Sequence, residues 1–80
     1  MLKSGVIERE IDNLLQETLS DTPLKSLNNE AVGQLFSKLG ERTSNATTYR
    51  AVRLRQSLRD RLARVARRHQ TGWNLPSVEV

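Results

Sequence analysis

The stretch Asn45–Gln70, NATTYRAVRLRQSLRDRLARVARRHQ, decides the fold, because it joins a helical apolar stripe to most of the chain's positive charge. It holds eight of the thirteen Lys and Arg residues, all eight of them Arg, and one acid, Asp60. At about 100° per residue, its apolar side chains fall on one side of a helix. This apolar stripe consists of Ala51, Leu54, Leu58, Leu62, Val65 and His69. The pattern predicts a long helix over residues 46–70.

The Arg residues of this helix form the candidate binding site. Arg55, Arg59 and Arg67 are expected at the flanks, where the first two can pair with acids of an earlier helix. An Arg guanidinium stays charged and donates two parallel hydrogen bonds to a phosphate, so a row of them predicts contact with a nucleic-acid backbone. Five Arg residues are expected to form that row on the face opposite the stripe, and we call them the Arg ridge: Arg50, Arg53, Arg61, Arg64 and Arg68.

Composition limits the class of protein. Eighty residues make one small domain, and such a chain buries only about 60% of its unfolded surface. Without cysteine, and with one histidine, the chain offers no thiolate or zinc site, so we expect no metal and no cofactor. No apolar run approaches the roughly 20 residues of a membrane span, and the stripe is narrow for a helix lying on a membrane. We therefore expect a cytoplasmic protein without a membrane partner.

Charge is divided along the chain. Residues 1–40 carry four basic and six acidic side chains, whereas residues 41–80 carry nine basic and three acidic ones, which accounts for the net charge of +4. An acidic half joined to a basic half indicates either nucleic-acid binding or charge pairing within the chain.

The rest of the chain predicts an all-α fold, in which two short helices pack on the long Arg-rich one. Apolar residues recur at helical spacing over 5–19 and again over 29–39, with a short turn near Pro23 between them. Gly40 is expected to stop the second helix in a left-handed conformation, and Gly33 to mark close approach of another helix. Residues 1–72 then form one helical domain, and residues 73–80 form a tail whose Trp73 docks on the body.

Helix length predicts a homodimer. At 1.5 Å per residue, the long helix spans about 37 Å, against about 22 Å and 17 Å for the other two. The shorter helices would leave part of the stripe exposed, at roughly 1.5–3 kcal/mol for each large side chain. Leu54, Leu58, Leu62 and Val65 are therefore expected to face either the core or a dimer contact, and a second chain is expected to cover Leu58, Leu62 and Val65.

Two DNA-binding arrangements are alternatives for the basic half. Residues 32–52 have the order helix, turn, helix, although Phe36 stands where a small residue is wanted and Glu41 where an apolar one is usual. Residues 49–72 resemble the strand and first helix of ribbon-helix-helix proteins, which would place Tyr49, Ala51 and Arg53 in the major groove. In that resemblance Arg50 falls on a core position, and the chain ends before a second helix could form.

No set of residues points to catalysis, because the chain lacks a nucleophile elbow, a Gly-rich phosphate loop and a paired-acid motif. We therefore expect a non-enzymatic nucleic-acid-binding protein, such as a regulator or accessory factor. Aromatic residues are few, so stacking on several bases is not expected and a duplex is favoured. The alternative is an interaction module, an inhibitor or adaptor, whose basic helix docks on an acidic protein.

Overall fold

The computed structural model describes residues 4–77, and within that range the chain is helical and has no β-strand. Its helices are α1 (Ser4–Leu19), α2 (Asn29–Arg42) and α3 (Thr48–His69), with a 3-10 turn over Leu24–Ser26 between the first two. Both α1 and α2 pack against α3. The predicted all-α fold is confirmed for these residues. The order of α2, connection and α3 agrees with the helix-turn-helix alternative, which stays a prediction.

The core lies where the three helices meet. Each helix contributes three aliphatic side chains spaced by three or four residues, so that they share one side of the helix. At roughly 1.5–3 kcal/mol for each fully buried large side chain, this cluster is the main source of stability. Its members are Ile7, Ile11 and Leu14 of α1, Val32, Leu35 and Leu39 of α2, and Leu54, Leu58 and Leu62 of α3.

One chain covers the centre of α3 without help. Leu58 and Leu62 are each 0% exposed, so the expectation that a second chain must shield them is wrong. The length estimate counted only the two shorter helices, whereas the 3-10 turn and the segment after α3 also add apolar side chains to the cluster. Val65 is half-buried and His69 is exposed, so the buried part of the stripe ends before them. The added side chains are Leu24, Leu27, Trp73 and Leu75.

Helix α2 continues past Gly40 and ends at Arg42, so the predicted left-handed stop at Gly40 is wrong. The helix is prolonged to Arg42 and capped by Thr43, whose hydroxyl and N–H both donate to the carbonyl oxygen of Leu39, at 2.9 Å and 3.0 Å. Because α2 extends beyond Gly40, Arg42 is part of the helix and forms an ion pair with Glu17 of α1. A helix end fixed by a side chain therefore replaces the glycine stop.

Gly33 also differs from expectation. It is exposed on α2, and no heavy atom of the described residues, apart from its own helix, lies within 4 Å of the place where a Cβ would stand. The expectation of a close helix approach at Gly33 is therefore wrong.

Helix α3 starts at Thr48, two residues later than expected, and ends at His69, one residue earlier. Thr47 sets the start, because its hydroxyl accepts a hydrogen bond from the N–H of Arg50 at 3.2 Å. Gln70 adopts a left-handed φ of 52° and ends the helix. Residues 49–54 thus lie inside a helix, so the strand implied by the ribbon-helix-helix resemblance is wrong.

Candidate nucleic-acid interface

Acidic side chains of α1 hold Arg residues of the other two helices. The Asp12–Arg61 pair has its carboxylate Oδ1 at 2.6 Å from the guanidinium Nη1. Two members of the predicted Arg ridge, Arg50 and Arg61, are therefore neutralised within the chain. Residues 4–77 form three ion pairs in all: Glu10–Arg50, Asp12–Arg61 and Glu17–Arg42.

The rotation of α3 explains this pairing. At about 100° per residue, Arg50 and Arg61 lie only about 60–80° from the centre of the buried stripe, at its border with α1. Both side chains are half-buried there, within reach of the α1 carboxylates. The expectation that the five Arg residues form one face opposite the stripe is therefore wrong for these two, and Arg68, which shares the rotation of Arg50 but is exposed, does not lie opposite the stripe either.

Arg53 and Arg64 point further from the core, about 120–140° from the centre of the stripe, and both are exposed. They border a shallow groove between α3 and the start of α1. Arg67 lines the same groove, although the sequence placed it on a flank. The predicted stripe itself, whose centre is Leu58, sets Arg67 about 180° away, directly opposite the core. The other polar side chains of the groove are Glu8, Gln56, Ser57 and Asp60.

The flanks expected to pair with acids behave differently. Arg59 donates a hydrogen bond from its Nε to the carbonyl oxygen of Pro76 at 2.9 Å. Arg55 is exposed and forms no ion pair within residues 4–77, and the same is true of the ridge member Arg68. The acids of α1 thus bind Arg50 and Arg61 rather than Arg55 and Arg59, so the expected flank pairing is wrong.

The segment after α3 folds back onto the body. Trp73 docks as expected, and its indole N–H donates to the carbonyl oxygen of Leu27 at 2.7 Å. The contacts also continue past Trp73, since the N–H of Asn74 donates to the Asn29 side chain at 2.9 Å. Leu75 packs against the core as well. The last residues of the predicted tail, 78–80, lie outside the described residues.

This fold-back borders the outward strip of α3 on the side away from the groove. A depression next to the groove shares Gln56 and Asp60 with it and is bounded by Arg59 and Ser77. The outward strip of α3 therefore lies between the start of α1 on one side and the end of the described chain on the other.

Comparison of the chain with protein-family models, curated proteins and solved structures gives no significant match. Within residues 4–77 no helix combines the length and the apolar character that crossing a bilayer requires.

Proposed function

We propose that this chain is a small non-enzymatic nucleic-acid-binding protein, a regulator or accessory factor, that holds phosphate groups with the exposed Arg residues of α3. One observation carries the proposal: three acids of α1 are paired with other Arg residues, and five Arg side chains of α3 stay exposed without an ion pair inside residues 4–77. They are Arg53, Arg55, Arg64, Arg67 and Arg68.

Polyanion binding follows from the chemistry of these side chains. Five guanidinium groups on one helix repel one another, and a phosphate backbone relieves that repulsion while it accepts paired hydrogen bonds. Each phosphate neutralised releases counterions, so the affinity must fall steeply with salt. Single strands and duplexes both carry phosphates, so contacts to the backbone alone do not distinguish between them.

The interaction module is the second candidate, and one observation favours it. Arg side chains of this domain form ion pairs with carboxylates that project from a helix, as the pairs of Glu10, Asp12 and Glu17 show. An acidic protein groove could engage the exposed Arg residues in the same way. Under that alternative, affinity for nucleic acid is weak at physiological salt and is indifferent to which exposed Arg is removed.

A salt series with a charge-matched control tests the proposal. Binding of labelled random-sequence DNA and RNA is followed by fluorescence anisotropy from about 50 to 200 mM salt, with light scattering to give the mass and so test the predicted homodimer. Arg64→Ala should lower affinity for all sequences and flatten the slope of log affinity against log salt by up to about one unit. Lys38→Ala, on the exposed side of α2, removes the same charge and should leave the slope unchanged. A folded protein that binds no nucleic acid at about 50 mM salt would reject the proposal.

A further inference from the structure

The outward strip of α3 carries an exposed ring, Tyr49, and two polar side chains, Gln56 and Asp60, that the proposed phosphate contacts do not explain. From these we infer that the groove takes a single nucleic-acid strand with unpaired bases. Its phosphates lie on Arg53, Arg64 and Arg67, and its base edges lie on Gln56 and Asp60. This inference rests on the proposed function and names the form of nucleic acid that the same face binds.

The width of the strip carries the first step. The strip is the outward side of one helix, about 10–12 Å across with side chains. Glu8 of α1 lines the groove on one side of it, and Ser77 lines the separate depression on the other, where the Arg59–Pro76 hydrogen bond holds the chain. A single strand can follow a strip of this width with its bases turned toward α3.

The order of charges along the strip carries the second step. Arg53 stands at one end and Arg64 and Arg67 at the other, eleven to fourteen residues further on and about 16–21 Å away. Between them lie Gln56 and Asp60, one neutral and one anionic, while Arg59 lies to the side and is bonded to the Pro76 carbonyl oxygen. A backbone lying over Asp60 would meet a like charge, so the phosphates belong at the ends and the bases in the middle.

The chemistry of the middle suits base edges. A Gln amide both donates and accepts hydrogen bonds, and it matches the edge of adenine. The Asp60 carboxylate accepts hydrogen bonds only, and the exocyclic amino groups of cytosine and adenine donate them. Ser57 adds a hydroxyl that can do either. Asp60 thereby gains a role that it lacks in pure backbone binding.

A ring at one end of the same strip completes the lining. Tyr49 is 64% exposed, and it lies within about 20° of Gln56 and Asp60 around the axis of α3. Single-strand binders stack bases on exposed aromatic rings beside basic side chains. One well-placed ring therefore outweighs the scarcity of aromatic residues, and we favour a single strand over the duplex expected from composition.

Competition between matched oligonucleotides tests the inference. A random-sequence DNA strand and the duplex of the same length are compared at one salt concentration, and the strand should bind at least about tenfold more tightly. Tyr49→Ala should weaken strand binding about tenfold and leave duplex binding unchanged, whereas Tyr49→Phe should retain the wild-type affinity. Asp60→Asn should reduce the preference for oligo(dC) over oligo(dT), which lacks an exocyclic amino group. Circular dichroism confirms that each variant is folded.

The outcomes separate the two claims. If the duplex binds as tightly as the strand, or if Tyr49→Ala has no effect on strand binding, the single-strand inference is wrong while phosphate binding by the Arg residues stands. If neither form binds at about 50 mM salt, the proposed function fails, and the inference fails with it.

Discussion

Helix α3 carries the same residue type on two sides that differ in their surroundings. Arg50 and Arg61 border the buried stripe and are held by carboxylates of α1. Arg53 and Arg64 lie about 60° further round the helix, are exposed and form no ion pair within residues 4–77. For these four residues, rotation relative to the core separates Arg residues that tie helices together from those left for a partner. Arg68 shares the rotation of Arg50 but lies near the end of α3 and is exposed, so position along the helix counts as well.

The two sides should differ in energy as well as in contacts. Exposed or half-exposed ion pairs usually contribute only about 0.2–1 kcal/mol to the free energy of unfolding, so the paired side adds modestly to stability. The unpaired side adds nothing to folding by pairing, and its charge stays available to phosphates.

The largest effect on stability is expected in the buried stripe of α3, because its packing sets how both sides of the helix are oriented. Leu58 is 0% exposed, so Leu58→Ala should lower the free energy of unfolding by about 2–5 kcal/mol in urea denaturation. Val65→Ala is the control, because Val65 is half-buried and should cost clearly less. A loss below about 1 kcal/mol at Leu58 would mean that the stripe does not set the rotation of α3.

The next largest effect on stability is expected in the segment after α3, which folds back beside the unpaired side. Trp73→Ala removes a half-buried ring and should lower the free energy of unfolding by about 2 kcal/mol, less than the roughly 3–5 kcal/mol of a fully buried Trp. Trp73→Phe keeps a ring but loses the hydrogen bond to Leu27, so it should cost about 1 kcal/mol. Chemical denaturation of both variants measures these losses. Equal stability of the Ala variant and the wild type would show that the chain end is not docked.

A smaller gain in stability is expected in the last turn of α2, which positions Arg42 for its ion pair with Glu17. Gly40 is helical and exposed, so Gly40→Ala should raise the free energy of unfolding by about 0.5–1 kcal/mol. Gly72 has a φ of 74°, and Gly72→Ala should be destabilising instead. Thermal melts decide the sign. Destabilisation by Gly40→Ala would restore the left-handed stop and place Arg42 outside α2.

The smallest effect is expected in the paired side itself. A double-mutant cycle with Asp12→Ala and Arg61→Ala should give a coupling energy of about 0.2–1 kcal/mol from urea denaturation, falling as salt is added. A coupling energy of zero at low salt would remove the distinction between paired and unpaired Arg residues.

Much of the fold could be predicted from periodicity and turn chemistry. The end of α1 at Leu19 was predicted because the apolar spacing stops there, and in the structure Ser20 takes a left-handed φ of 56°. The all-α fold and the docking of Trp73 were also predicted. These features depend on local sequence, or on one large apolar side chain that has to be buried.

The errors arose where a neighbouring element decides the outcome. Nothing in the local sequence of Gly40 shows that Thr43 will bond to Leu39 and prolong α2. The coverage of Leu58 and Leu62 depended on the 3-10 turn and the chain end, which have no helical period to reveal them. The Arg ridge failed for a simpler reason. Treating all five Arg residues as one face hid how near Arg50 and Arg61 lie to the core, only about 60–80° from the centre of the stripe.

One measurement tests the central claim most directly, by removing two Arg residues from each side of α3. Arg53→Ala/Arg64→Ala and Arg50→Ala/Arg61→Ala lose the same charge, and both are titrated with single-stranded DNA over a salt series. The first pair should flatten the slope of log affinity against log salt by up to about two units and leave the free energy of unfolding within about 0.5 kcal/mol of wild type. The second should keep the wild-type slope and lose stability. Equal changes of slope in both variants would contradict the account, because net charge alone would then explain the binding.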